Sequence, residues 1–170
     1  MTFGVPLVLI LENQIRRYCM AKRKPVVKRL QKHLWELTSK YVRLHASNWN
    51  GECSCVTCGL TKPWKEMQAG HFIPRAQGNS TKWDLRNIHP QCYRCNINLG
   101  GNGAEYYPFM VKTYGEKVVT ELRQLSNQSR KITLGEYQTM IDEMAERISK
   151  LIMERQRSDY WTHWALQNLS

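Results

Sequence analysis

No apolar run in this chain is long enough to cross a bilayer. The stretch V-P-L-V-L-I-L at Val5 to Leu11 falls well short of the roughly 20 residues a spanning helix needs. No charged segment precedes it and no small-residue cleavage site follows it, so it does not read as a secretory signal. Neither membrane insertion nor export is expected. Internal repeats and long low-complexity segments are also missing, and with them any case for a solenoid. Acidic residues are scarce: 14 Asp and Glu stand against 25 Lys and Arg, for a net charge of +11 and a pI near 9.6. That imbalance disfavours an acidic-surface module and favours a polyanionic partner, nucleic acid first. A disulfide framework is not expected either. Four of the six cysteines fall in Cys-x-x-Cys pairs, which points to a reducing cytoplasm and leaves Cys19 and Cys53 over.

What remains is globular. With 42% hydrophobic residues and a mean hydropathy of −0.56, 170 residues suit one domain with appended helices. The positive charge is concentrated early: residues 1–50 carry ten basic and two acidic groups (+8), residues 51–110 six and four (+2), and residues 111–170 nine and eight (+1). Apolar residues at Val27, Leu30, Leu34, Leu37, Tyr41 and Leu44 step by three and four, which predicts a helix that starts near Pro25. Lys28, Arg29 and Lys32 lie off that stripe and are candidates for phosphate contacts. The same spacing recurs at Leu134, Tyr137, Ile141, Met144, Ile148 and Leu151, behind a Thr133-x-x-Glu136 capping box. Two shorter helices, Glu105 to Lys112 and Glu116 to Leu125, are expected on either side of Gly115. The apolar tail from Tyr160 to Leu169 is expected to dock. A break in composition at Met20 also suggests that translation starts there.

The most informative stretch runs from Cys55 to Asn102. Cys55 and Cys58 form one clamp, Cys92 and Cys95 a second, and 33 residues separate them. Paired x2 spacing of this kind fits a single tetrahedral structural Zn2+ held by two knuckles. Such a site is coordinatively closed, so chemistry must come from its neighbours. His71, Asn87 and His89 lie between the clamps and Asn96 follows the last cysteine. The order predicted here is a strand at Met67 to Pro74, a loop at 77–82, a strand at Leu85 to His89 and a helix from Cys92 to Leu99 ended by Gly100-Gly101. Lone histidines elsewhere (His33, His45, His163) have no accompanying motif.

These residues resemble a known family. Gly70-His71, Asn87 and Cys92-Tyr-Arg-Cys95-Asn96 follow the order of HNH endonucleases of the ββα-metal class. Leu34-Trp35, Cys55 to Gly59, Ala69 to Phe72, Asn87 to Asn96, Gly101-Asn102, Tyr106 and Tyr114-Gly115 resemble the lambdoid-phage NinG/Rap recombination endonucleases. The zinc-stapled core of phage endonuclease VII is similar too, with an Asn directly after its last cysteine. The resemblance implies an α+β, mostly helical protein with a small zinc-stapled ββα-metal core over 51–104. A residue 1–25 extension and a basic helix over 26–50 would precede the core, and helices over 105–170 would follow it.

The activity implied is phosphodiester hydrolysis assisted by one Mg2+ or Mn2+ ion. His71 would be the general base, since a neutral imidazole can take a proton from water at neutral pH. Asn96 would be a metal ligand and Asn87 the residue that fixes the loop and so orients His71. His89, two residues from Asn87 on the same strand face, would be a second ligand or a phosphate contact. Members of the class place an Asp before the base histidine; Gly70 stands there here, so either Asp84, His89 or Glu105 provides the missing ligand or the metal site is weak. Arg75 and Arg94 would contact phosphate. By resemblance, the substrate is branched recombination DNA such as Holliday junctions or D-loops, and the setting a phage-encoded protein in the bacterial cytoplasm. Junction symmetry suggests a homodimer, with the two apolar stripes as candidate contacts. The other reading from these residues is a zinc-stabilised nucleic-acid-binding protein without catalysis.

Overall fold

The computed structural model describes the backbone of residues 7–156 and the side chains of 26–155. The expected docking of the tail and His163 lie outside those residues; Cys19 and Met20 fall within the described backbone but outside the described side chains, and nothing in the fold tests a start at Met20. Helix α1 spans Leu7–His45 and is followed by two short hairpin-like pairings. Strands β1 (Glu52–Ser54) and β2 (Thr61–Pro63) pair antiparallel. So do β3 (Gln68–His71) and β4 (Ile88–Gln91), with Gly70 opposite His89 and His71 opposite Ile88. A π-turn at Arg94–Asn98 leads to α2 (Gly103–Ser126), and α3 (Leu134–Gln156) ends the described chain. The protein is α+β, mostly helical, with two small antiparallel sheets.

Several expected boundaries shift, each for a local reason. Pro25 lies inside α1 and does not start it, because the residues before it are good helix formers and the helix simply runs on from Leu7. The segment expected to be strand from Leu85 begins as a single 3-10 turn, Leu85–Asn87, since the Asp84 carboxylate accepts from the Arg86 N–H (2.9 Å) and curls the backbone; β4 starts only at Ile88. The helix expected from Cys92 to Leu99 is one wide turn, closed by the Leu99 N–H to the Arg94 carbonyl (2.9 Å). Gly100, Gly101 and Asn102 then take φ of 57°, 94° and 50°. Three successive left-handed residues exclude most side chains, which explains the Gly-Gly-Asn run and the abrupt entry into α2. Pro108 is absorbed into α2, and the break falls at Gly115 (φ 81°, ψ 160°) as expected.

The two apolar stripes cover one another. Leu34 of α1 packs with Tyr137, Ile141, Met144 and Ile148 of α3, flanked by Val27, Leu30, Leu37 and Tyr41. The helices run parallel: Gln31 donates to the Tyr137 hydroxyl (2.8 Å), and near the far end Arg155 donates to the Leu44 and Ser47 carbonyls (2.6 and 2.7 Å). The latter bonds tie α3 to the end of α1 and the turn after it, where the Leu44 carbonyl also accepts from the Ser47 N–H (3.1 Å) and hydroxyl (2.7 Å). Thr133 and Glu136 form the expected capping box, with the Thr133 N–H to Glu136 at 2.8 Å and the Glu136 N–H to Thr133 at 3.2 Å. Burying side chains such as Leu34 and Leu44 contributes about 1.5–3 kcal/mol each. The opposite flank of α1 packs on the sheet through Val42, Ala69 and Ile88.

Candidate functional site

The four paired cysteines converge. Their sulfurs all lie within 4.8 Å of one another, and Cys58 Sγ is 3.7 Å from Cys92 Sγ. Four bonds of about 2.3 Å in a tetrahedron separate sulfurs by about 3.8 Å, so the cluster could bind a metal such as zinc with little adjustment. Burial acts to raise the Cys55 thiol, but the Thr57 hydroxyl (3.2 Å) and the backbone N–H groups of Cys92, Thr57 and Cys58 outweigh it and bring it down to about 6. At Cys58 the Leu60 N–H lowers the pKa, while burial and the bonds shared with the Cys55, Cys95 and Cys92 sulfurs push it up to about 12. The cluster thus favours one thiolate among shared protons, and a bound cation would displace those protons. Cys53 is no part of it. That thiol is buried against Trp64 and Met67, and burial raises it to about 11.

His71 ends β3 and turns toward α1. Its ring stacks on Trp35, with centroids 5.1 Å apart and 25° between planes. Nε2 lies 3.0 Å from the Lys82 carbonyl. A carbonyl only accepts, so Nε2 carries the proton and Nδ1 keeps its lone pair. Burial depresses the imidazole to about 4; the Lys82 carbonyl opposes this, and the charges of Arg75 and Lys82 reinforce it. At neutral pH this is an uncharged base beside two cations. Arg75 lies over the other ring of this layer, 4.8 Å from the Trp35 centroid.

Asn87 is fully buried and holds both ends of the loop that carries Lys82. Its Oδ1 accepts from the Ile73 N–H (2.8 Å), and its Nδ2 donates to the Ile73 and Thr81 carbonyls (3.1 Å each). Three bonds from one amide close the loop from residue 73 to residue 81. The next carbonyl along is the one His71 uses.

The other expected residues are placed less favourably for metal binding. His89 has both ring nitrogens engaged, by the Tyr106 hydroxyl at 3.0 Å and the Tyr114 hydroxyl at 2.9 Å. Tyr106 donates its proton to the Gly70 carbonyl (3.0 Å), so it accepts from His89 Nδ1–H, and Tyr114 donates to Nε2. His89 is therefore a buried link between β4 and α2, with both ring nitrogens held by tyrosine hydroxyls. Asp84 is spent as well: it caps the Leu85–Asn87 turn and pairs with Arg86 at 2.7 Å. Glu105 is exposed in the first turn of α2. Among the described residues, the four cysteines are the one cluster of three or more His, Cys, Asp or Glu ligands.

Asn96 follows the cysteine turn and donates to Gln68 Oε1 (2.6 Å), which leaves its own oxygen facing Gly70. No hydrogen bond joins it to His71. Arg94, Lys28 and Arg29 are exposed; Lys32 is exposed too, 3.8 Å from Glu36.

Sequence reasoning missed Trp35, Lys82, Tyr106 and Gln91. Trp35 and Tyr106 stand inside quoted motifs, yet nothing in their spacing says that they meet His71 and His89. Lys82 acts through a backbone carbonyl, which carries no residue signature.

The model of the family described as "Bacteriophage Lambda NinG protein" matches residues 11–154. The chain is 33% identical to protein ninG of Escherichia phage 933W over 76 residues, covering 45% of this chain and 37% of that protein. It is 29% identical to protein ninG of Escherichia phage lambda over 96 residues, 53% of this chain and 47% of that one. For protein ninG of Salmonella phage P22 the identity is 29% over 98 residues, 54% and 48%. The chain thus spans less than half the length of these relatives. No solved structure matches it significantly.

Proposed function

The chain belongs to the NinG family of bacteriophage proteins, and on that premise we propose that it is a divalent-metal-dependent DNA endonuclease with an HNH-like core stapled by zinc. The observation that carries this reading is His71: an uncharged imidazole with Nδ1 unprotonated, fixed through Nε2 and flanked by Arg75 and Lys82. That is the equipment of a general base beside an anion site. Arg75 and Lys82 hold the phosphate, and its charge offsets theirs and raises the basicity of His71 when DNA binds. His71 Nδ1 takes a proton from water, whose oxygen attacks phosphorus as the bond to the 3′ oxygen breaks. Trp35 and the Asn87-locked loop keep the ring in place. A bound Mg2+ or Mn2+ would supply stabilisation of the charge that develops on phosphate and leaving oxygen. Cys55, Cys58, Cys92 and Cys95 would hold a zinc ion that ties the 92–99 turn to the first cysteine pair and supplies no chemistry to the hydrolysis.

The exposed basic residues of α1, Lys28 and Arg29, with Arg94 beside the cysteine turn, provide non-specific phosphate contacts. Branched recombination intermediates are the substrate class in this proposal, in the cytoplasm of the bacterial host. A homodimer would suit their symmetry, but α1 and α3 have used their apolar stripes on each other, so it would need another surface. Solution size separates a 20.0 kDa monomer from a pair.

One observation favours the non-catalytic alternative of a zinc-stabilised DNA-binding protein: the cysteines are the one ligand cluster of their kind among the described residues. The assay that decides is cleavage of four-way-junction and linear DNA with Mg2+ or Mn2+. Cleavage by the parent, with a loss of about 10²–10⁴-fold in His71→Ala at unchanged zinc content, is expected. Uncut DNA under every condition, with binding retained, would sink the nuclease reading.

A further inference from the structure

Among the described residues, no carboxylate pairs with Arg75 or Lys82, and no acceptor takes a hydrogen bond from either side chain. Each lies over an indole instead, Arg75 4.8 Å from the Trp35 centroid and Lys82 4.8 Å from that of Trp83. The two indoles meet at 6.5 Å and 55°, and Trp35 also carries the His71 imidazole at 5.1 Å and 25°. Burial first, and then the Arg75 charge, pull the Lys82 ammonium below its usual value, so the two cations feel one another. Like charges gathered on one aromatic layer cost the free protein energy, and an anionic ligand removes that cost. The layer also has an open side: Trp35 is only partly buried, and Arg75, which covers it, is exposed. A guanidinium over an exposed indole is weakly held. A nucleobase offers a larger flat surface and stacks more strongly on the same face. It can do so only when unstacked, because a paired base inside a duplex presents nothing but its edges. Lys28, Lys32 and Trp35 follow one another at i, i+4 and i+7 on α1, so they share one face, with the two lysines about 10 and 5 Å along the helix axis from the ring.

We infer that Trp35 is the stacking platform for one unpaired nucleobase, that Arg75 leaves the ring to hold the phosphate of that nucleotide, and that Lys28 and Lys32 carry the strand leading to it. Until DNA arrives, Arg75 keeps the indole face covered. Selection then comes from shape and not from sequence: every base has a flat face, but only a branch, flap or gap exposes one. Continuous duplex can still use the lysines and Arg75, so it binds, but without the stacked base. His71 shares the Trp35 ring with that base, which brings the unpaired nucleotide to the residue proposed as general base. What His71 then does rests on the nuclease reading; the stacking does not.

The test uses the full, zinc-loaded chain without Mg2+ or Mn2+, and a flapped DNA with 2-aminopurine as the unpaired base at the branch. Stacking on an indole quenches that fluorophore, so binding to the unaltered protein should quench it severalfold; the same label paired inside a continuous duplex should keep its emission. Trp35→Leu should abolish the quenching and cut the preference for flapped over continuous DNA roughly tenfold, with duplex affinity at the parent level. Trp35→Phe, which keeps an aromatic face, should restore much of both, whereas a ring that only packed α1 would alter melting and duplex binding together. Arg75→Gln should leave the quenching and lower the log-log salt slope by roughly 1. No quenching in the unaltered protein would overturn the proposal without recourse to any variant. So would quenching, or a flapped-to-duplex ratio, that persists unchanged in Trp35→Leu. Quenching through Trp35 with no cleavage once Mn2+ is added would sink the nuclease reading and leave this one. Cleavage by a Trp35→Leu protein that discriminates like the parent would do the reverse.

Discussion

Two regions share the short stretch from Gln91 to Asn96, and they are finished to different degrees. Cys92 and Cys95 reach back to Cys55 and Cys58, and the protein provides all four ligands of that group. Gln91 and Asn96, which flank that pair of cysteines, bring two uncharged amide oxygens up against Gly70, while His71 turns its ring to Trp35. The sulfur region is complete by its own residues and its task is structural. The region around Gly70 and His71 has an uncharged imidazole beside the charges of Arg75 and Lys82, and on the nuclease proposal it is the substrate that completes it. A site that must let substrate in and product out is built better from partial sets than from full ones.

The largest expected effect comes from removing what completes the sulfur region. Cys95→Ser, or a strong zinc chelator, should release one zinc per chain and abolish cooperative melting of the core, since metal binding and folding are coupled in small sites of this kind. A chain that melts unchanged after losing its metal would make the two regions alike. Acid should act next. Burial holds His89 at about 4, and burial with the Arg75 and Lys82 charges does the same for His71. Unfolded histidines titrate near 6.5, so between that pH and about 4 the unfolded chain binds protons that the folded chain refuses. Stability is therefore lost as pH falls through that window, by on the order of 3 kcal/mol for His89. Ring resonances followed by NMR give both values directly, and a His89 that titrates near 6.5 would contradict its placement between Tyr106 and Tyr114.

Asn87→Ala should cost about 2 kcal/mol, because it leaves the Ile73 N–H buried and unpaired. It should also loosen His71 while zinc content stays at the parent level. Unaltered melting and an unaltered His71 ring would remove the loop-fixing role. The smallest effect should follow Lys28→Gln or Arg29→Gln: a uniform weakening across DNA sequences and a log-log salt slope reduced by roughly 1 for each charge removed. An unchanged slope would take α1 out of the DNA interface.

Much of the scaffold was legible, because its signals are periodic or local. The stripes at Val27 to Leu44 and Leu134 to Leu151 carry helical spacing, the Thr133–Glu136 box is four residues long, and two Cys-x-x-Cys pairs announce one cluster. The failures come from elsewhere in the chain acting on a residue. Tyr106 and Tyr114 take both nitrogens of His89 from 17 and 25 positions away, and no short motif records that. Gln91 does not titrate, so a search for acids near Gly70 passes by the amide that fills the space beside it. The expected Cys92–Leu99 helix is cut to one wide turn where the cysteine geometry and the left-handed Gly-Gly-Asn run override helical propensity.

The parallel clasp of α1 and α3 sets the order in which the chain can be assembled. Gln31 waits for a partner 106 residues later, and Leu44 for one 111 residues later. During synthesis, the apolar stripe of α1 is exposed while the cysteine region, all within residues 55–95, is already able to close. A ribosome stalled near residue 130 should therefore carry a protease-resistant, zinc-loaded middle attached to a first helix that chaperones still hold. Release of that helix should coincide with the emergence of α3.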